Sequence, residues 1–137
     1  MPELTSTLQH FVFLRHGESV GNLENRFQGH ADYPLTNLGR TQARSLAKRW
    51  KKEGRTFTRV VSSPLLRARE TAEIVCKSLE IPLEFDPDWK EIDSGLLSGL
   101  QQEEAVHHPA YLAHLTPYTH FGQTGESRWQ LYLRAGK

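Results

Sequence analysis

The 137 residues suit one domain with a modest core, and a hydrophobic fraction of 37% keeps the chain clear of the disordered class. Seventeen Lys and Arg against sixteen Asp and Glu leave a net charge of +1, which does not point to a nucleic-acid partner, and the single cysteine, Cys76, excludes an intrachain disulfide and a Cys-rich metal site. No stretch approaches the length of a membrane span, and residues 1–9 lack the basic region and apolar run of a signal peptide, so a cytoplasmic protein without a membrane partner is expected.

In chain order, residues 8–14 form an apolar, β-biased run (Phe11, Val12, Phe13, Leu14) and predict a first strand. The run changes abruptly to Arg15, His16, Gly17 and Glu18, as a strand does when it delivers polar groups to a site at its tip. A strand followed by a charged turn with a chance histidine is the alternative. Residues 15–36 read as a long, glycine-punctuated loop, of the length often associated with function, with a short helix possible within residues 19–27. Thr36 is a good N-cap for a helix over residues 37–51, whose apolar face is Ala43, Leu46, Ala47 and Trp50; Arg40, Arg44, Lys48 and Lys51 fall mainly on the solvated side. Gly54 closes that unit.

Residues 58–61 predict a short strand, and Ser62-Ser63-Pro64 reads as a cap followed by proline in the first turn of a helix reaching Leu79. Ala68, Ala72, Val75 and Leu79 line one of its faces, and Cys76 is expected in its core. Residues 83–85 supply another short strand before a turn at Pro87. The alternation of strand and helix predicts an α/β fold with a mostly parallel sheet. Beyond Asp88 the pattern weakens: residues 100–115 are helical in part but interrupted by Pro109, residues 117–125 are loop, and residues 127–134 begin a helix that stops after two turns.

Three separated segments could converge at one sheet edge: Arg15-His16-Gly17-Glu18, Ser62 to Ala72, and Lys90 to Gly95. Arginine forks suit phosphate oxygens, an imidazole nitrogen can attack phosphorus, and a carboxylic acid can protonate a departing alkoxide. Amides at the start of the second long helix would add partial positive charge if they faced the pocket. Taken singly, Arg67 is a surface cation of a first helical turn, Glu91 is solvated, and Asn22 is a polar loop residue, so a phosphate-handling site is one reading among several.

The ordered motifs go further. Leu14-Arg15-His16-Gly17-Glu18-Ser19 with Asn22, Leu35-Thr36-Asn37-Leu38-Gly39-Arg40-Thr41-Gln42-Ala43, Ser62-Ser63-Pro64-Leu65 through Arg67-Ala68 and Thr71-Ala72, Glu91 with Gly95 and Gly99, and Gly125-Glu126-Ser127 together resemble the histidine phosphatase superfamily, also called phosphoglycerate-mutase-like. The resemblance runs from about Phe11 to Arg134. It implies a three-layer αβα fold with a mostly parallel sheet. It also implies a single histidine phosphatase domain over 1–137, incomplete at its C-terminal side. His16 would be the nucleophile that forms a phosphohistidine, and Glu91 the general acid and then base. Arg15, Arg67 and Asn22 would hold the phosphoryl group, with Gln28 and Gly29 lining the substrate side. Glu18 would support the site, and Arg67 rather than Arg69 takes the arginine role because it directly precedes Ala68.

The family also carries a second catalytic histidine in a Ser-His-Gly context, which would fall well beyond Lys137, and none of His10, His30, His107, His108, His114 or His120 takes its place. The expectation is a piece of a longer enzyme rather than a natural short form, poorly active by itself. Within the family, Gly21 before Asn22 (where mutases carry Trp) and the compact segment after Glu91 favour a phosphatase over a phosphoglycerate mutase. A non-catalytic phospho-ligand binding protein is the third reading. The implied partner is a phosphorylated small molecule; neither metal nor cofactor is implied, and association as a homodimer stays open.

Overall fold

The computed structural model describes residues 10–112 and 114–137. The longest elements are two helices that pack on each other, α2 (Asn37–Lys52) and α3 (Leu66–Leu79). Small residues make this contact close: Ala43 and Ala47 are buried on α2, and Ala72, Val75 and Cys76 on α3. Thr36 caps α2 as expected, its hydroxyl accepting from the Gly39 amide at 3.0 Å. Gly54 follows the helix with φ +66°, a conformation open to glycine at little cost.

Two of the α2 cations assigned to solvent also tie the helices together. Arg40 pairs with Glu70 of α3 at 2.9 Å, and Lys51 donates to the Ser78 carbonyl at 3.3 Å.

Between the helices lies β1 (Val60–Ser62), and after α3 comes β2 (Leu83–Phe85). They pair in parallel, Val60 opposite Leu83 and Ser62 opposite Phe85. This strand–helix–strand unit is the α/β arrangement that the alternation predicted. The first predicted strand is a correction. Its residues 8 and 9 lie outside the described part, and residues 10–14 carry no regular secondary structure and join no ladder. A strand exists only through a neighbour, and among the described residues the one ladder is β1–β2. Phe11 and Phe13 are accordingly 76% and 81% exposed.

The remaining elements are short. α1 (Val20–Leu23) is one turn inside the long loop, and α4 (Gln102–Ala105) is all that forms of the helix expected over residues 100–115. α5 (Arg128–Ala135) starts on Ser127, whose hydroxyl accepts from the Gln130 amide while the Gln130 side chain returns to the Ser127 amide. A second small core gathers Leu97, Ala105 and Ala110 under Phe27, Leu100 and Phe121. It fastens the long loop to the second half of the chain, assisted by the Phe27 amide donating to Leu100 O at 2.9 Å. Among the described residues no helix is long and apolar enough to cross a membrane.

Candidate active site

His16 sits half-buried just past the irregular residues 10–14. The next residue fixes its place: the Gly17 amide donates to Thr71 Oγ1 on α3 at 3.1 Å, and the Thr71 hydroxyl donates to Arg67 O at 2.7 Å. Gly17 also lies so close to α2 that a Cβ there would come within 2.5 Å of Gly39 O. A side chain at Gly39 would in turn strike the Glu18 carbonyl. The two glycines let the tip rest directly on the start of α2.

The imidazole has a defined tautomer. Its Nδ1 lies 2.7 Å from Gly17 O, an acceptor only, so Nδ1 carries the hydrogen and Nε2 keeps its lone pair. Burial pushes the His16 pKa below its ordinary value of 6.5, and the Arg67 and Arg15 cations act in the same direction, against the Gly17 carbonyl and the Glu91 carboxylate. A lowered pKa favours the uncharged ring, the form whose Nε2 lone pair can attack an electrophile. Arg67, Arg15 and Glu91 are thus among the charged groups whose fields act on His16.

Arg67 is not the surface cation that its position in a first helical turn suggested: it is 3% exposed. Its Nη1 donates to Ala31 O at 3.1 Å and its Nη2 to Gly29 O at 2.9 Å, so the guanidinium orders the loop while its other N–H groups stay available. Burial lowers its pKa, opposed by Glu91 and Asp32, yet a guanidinium remains charged throughout the physiological range. Gly29, whose carbonyl Arg67 holds, has φ +47° and packs so tightly against Ser94 that a Cβ would lie 2.6 Å from its hydroxyl. Gly29 thus contributes backbone to the site.

Asn22 is held by the cap of α1. Its Oδ1 accepts from the Ser19 amide at 3.0 Å and from the Ser19 hydroxyl at 2.8 Å. The amide oxygen is thus committed to Ser19, and the Asn22 side chain is held at the start of α1. Gln28 Oε1 lies 2.6 Å from the same buried Ser19 hydroxyl, whose single proton is shared between the two amide oxygens, so Ser19 spaces the two amides. Arg15 is exposed. Glu91 is exposed too, with Oε1 accepting from the Ile92 amide at 2.9 Å and its carbonyl accepting from His30 Nε2 at 2.8 Å. Glu18 accepts from the Thr36 hydroxyl at 2.6 Å, a supporting contact.

One expectation fails. The start of α3 is not an open anion site: Pro64 has no amide hydrogen, α3 begins at Leu66, and the Leu66 amide donates to Asp32 Oδ1 at 2.6 Å. The carboxylate of a loop residue satisfies the helix end, an interaction between distant segments that local spacing does not announce. Thr71 was equally hidden as an anchor, although it lay inside the Thr71-Ala72 motif. Beside the histidine, a hollow of about 120 Å³ lies between Leu14 to Gly17 and Gln42, Ala43, Leu46 and Thr71.

An imidazole whose Nδ1 is engaged by a backbone carbonyl, with arginines and a carboxyl acting on it, has the chemistry to move phosphoryl groups. Residues 11–137 match the family model of the histidine phosphatase superfamily, branch 1, and the chain belongs to that superfamily. It is 40% identical over 97 residues to the 2,3-bisphosphoglycerate-dependent phosphoglycerate mutase of Nitrobacter winogradskyi, covering 69% of this chain and 47% of that one. A probable phosphoglycerate mutase of Escherichia fergusonii is 42% identical over 84 residues, 61% of this chain and 38% of the relative. The chain thus spans about half or less of these relatives' length.

Among solved structures, a mycobacterial glucosyl-3-phosphoglycerate phosphatase complexed with VO3 superposes with TM-score 0.77 at 32% identity, covering 89% of this chain and 61% of that one. YhfR of Bacillus stearothermophilus gives 0.76 at 35% identity over 88% and 60%. The phosphoglycerate-mutase-like α/β fold is therefore the fold of this chain.

Proposed function

We propose that the protein this chain represents hydrolyses phosphate monoesters through a phosphohistidine. His16 Nε2 attacks phosphorus, and the bond from phosphorus to the ester oxygen breaks with its electron pair on that oxygen. Glu91 gives the oxygen its proton. Water then attacks the phosphohistidine while Glu91 takes a proton from it, which releases inorganic phosphate and restores His16. Arg67 and Arg15 balance the phosphoryl charge, the Asn22 amide donates to its oxygens, and Gln28 and Gly29 border the substrate. The observation that carries this reading is His16 with Nδ1 engaged by Gly17 O, which leaves Nε2 as the attacking nitrogen, together with the burial of Arg67.

Hydrolysis is favoured over mutase chemistry by Gly21, buried at a position where mutases carry Trp: a Cβ there would already lie 2.6 Å from the Gln28 side chain. The mutase reading rests on the names of the curated relatives. We take the substrate to be a phosphorylated small molecule.

The test is incubation of the chain with 3-phosphoglycerate and with p-nitrophenyl phosphate, followed by measurement of inorganic phosphate, of 2-phosphoglycerate and of acid-labile phosphate on His16. Phosphate release with a labelled His16 supports the hydrolase. Formation of 2-phosphoglycerate replaces it with the mutase, and phosphate-dependent binding without label leaves a binding protein.

A further inference from the structure

Arg134, near the end of α5, lies far from His16 in sequence and belongs to none of the groups assigned above. Its guanidinium spends all five of its N–H groups inside the protein. Nε donates to Glu126 Oε1 at 2.9 Å, and Nη2 donates to Glu126 Oε2 at 2.6 Å. Nη1 donates to Asp88 O at 2.6 Å and Lys90 O at 2.9 Å, and the second Nη2 hydrogen reaches Glu91 O at 3.4 Å. No donor is left for a ligand, so Arg134 does not hold phosphate. Its side chain and that of Glu126 are only 18% and 14% exposed.

A stabilising ion pair would need Glu126 alone. The three carbonyls are what distinguish this arginine, since they belong to the segment that presents Glu91. Glu126 closes the other side of that segment, its amide donating to Asp93 O at 2.9 Å. The Glu91 backbone is thereby gripped on both sides of the carboxyl, while the carboxyl itself stays exposed and, among the described residues, accepts from its neighbour's amide.

We propose that Arg134, held bidentately by Glu126, is a positioning residue that fixes the backbone of residues 88–91 and so aims the Glu91 carboxyl at the leaving oxygen. The proposal rests on the role assigned to Glu91 above. Geometry of this kind governs rate, because misplacing a catalytic group by about 1 Å can cost about 10²-fold. Lysine cannot replace this arginine, since an ammonium has three donors at one point and no planar fork.

The test uses leaving groups. p-Nitrophenolate departs without a proton, whereas the alkoxide of glycerol phosphate needs one. The chain and its Arg134→Ala, Arg134→Lys and Glu126→Gln variants are reacted with both donors, and the rate at which acid-labile phosphate appears on His16 is measured. Arg134→Ala is expected to slow transfer from glycerol phosphate by about 10²-fold and to leave transfer from p-nitrophenyl phosphate nearly unchanged. Arg134→Lys should behave like Arg134→Ala, and Glu126→Gln should fall between them and the parent.

Equal slowing with both donors means a merely structural role and overturns the proposal, as does recovery of the alkyl rate by Arg134→Lys. If the parent chain, which spans about half of its relatives' length, accepts phosphate from neither donor, that result bears on the hydrolase reading and not on the clamp. The clamp is then decided by hydrogen exchange at the Ile92 amide, which Glu91 Oε1 accepts. Faster exchange in Arg134→Ala with unchanged exchange in α2 sustains the clamp, and unchanged exchange at Ile92 overturns it.

Discussion

Replacing Thr71 by Val removes one hydroxyl and keeps the branched shape, so it opens no cavity and isolates a single interaction. Thr71 Oγ1 accepts the Gly17 amide at 3.1 Å and donates to Arg67 O at 2.7 Å. Arg67 O is also the acceptor of the helical bond at that turn, so the group left without a partner is the Gly17 amide. An unsatisfied buried donor costs about 1–3 kcal/mol; since the contact is part-buried, the lower end, about 1 kcal/mol, applies. For a chain of this size that is about 3–5 °C in Tm. Thr71→Ser keeps the acceptor and gives up only the methyl.

Urea unfolding followed by circular dichroism measures both variants, and phosphohistidine formation reports on the tip that Gly17 carries. Thr71→Val should lower the midpoint and slow transfer to His16, with Thr71→Ser recovering most of the transfer rate. An unchanged midpoint and rate in Thr71→Val would refute the view that α3 anchors the histidine through this hydroxyl.

Three further outcomes are expected. His16, with its pKa lowered by burial and the neighbouring arginines, binds a proton less readily folded than unfolded. The stability tied to it is complete above about pH 6.5 and is lost as pH falls through the lower folded value; an NMR titration of the ring should give a midpoint below 6.5, and one at or above that value contradicts the placement. Arg67→Lys keeps a charge but cannot span the Gly29 and Ala31 carbonyls, so it should lose about 1–3 kcal/mol in urea unfolding; an unchanged midpoint would show that these bonds are not needed. Gly39→Ala adds about 1 kcal/mol of helix propensity, yet its Cβ would strike the Glu18 backbone, so a lowered Tm is expected and a raised one counts against the close approach of the tip to α2.

What could be read from the sequence was local chemistry. Thr36 and Ser127 announce their helices because a cap acts over three residues, and the small faces of α2 and α3 follow from spacing along one helix. The candidate site residues stand out in the sequence because they are crowded into short motifs, and charges on Arg67, Arg15 and Glu91 are among those that act on His16. What escaped depends on segments far apart. The apolar run at residues 11–14 has strand character but no ladder, since pairing is a property of two segments. The Asp32 cap on Leu66 and the burial of Arg67 come from the loop folding onto α3. Nothing in the local sequence around Arg134 announces its five hydrogen bonds, which reach back to Asp88, Lys90 and Glu91 as well as to Glu126.

The hydrogen bond from Gly17 to Thr71 spans 54 positions along the chain, and that from Arg67 to Gly29 spans 38. Helices α2 and α3 can form from their own sequences, but these contacts repay their loop-closure entropy only once the helices are in place. During synthesis His16 leaves the ribosome well before Thr71 and Arg67, and must wait for them. The nucleophile is made early and positioned late. Folding that stalls before α3 docks would leave a chain with native helices and an imidazole free to take up its ordinary pKa, so titration of this one ring reports when the molecule is finished.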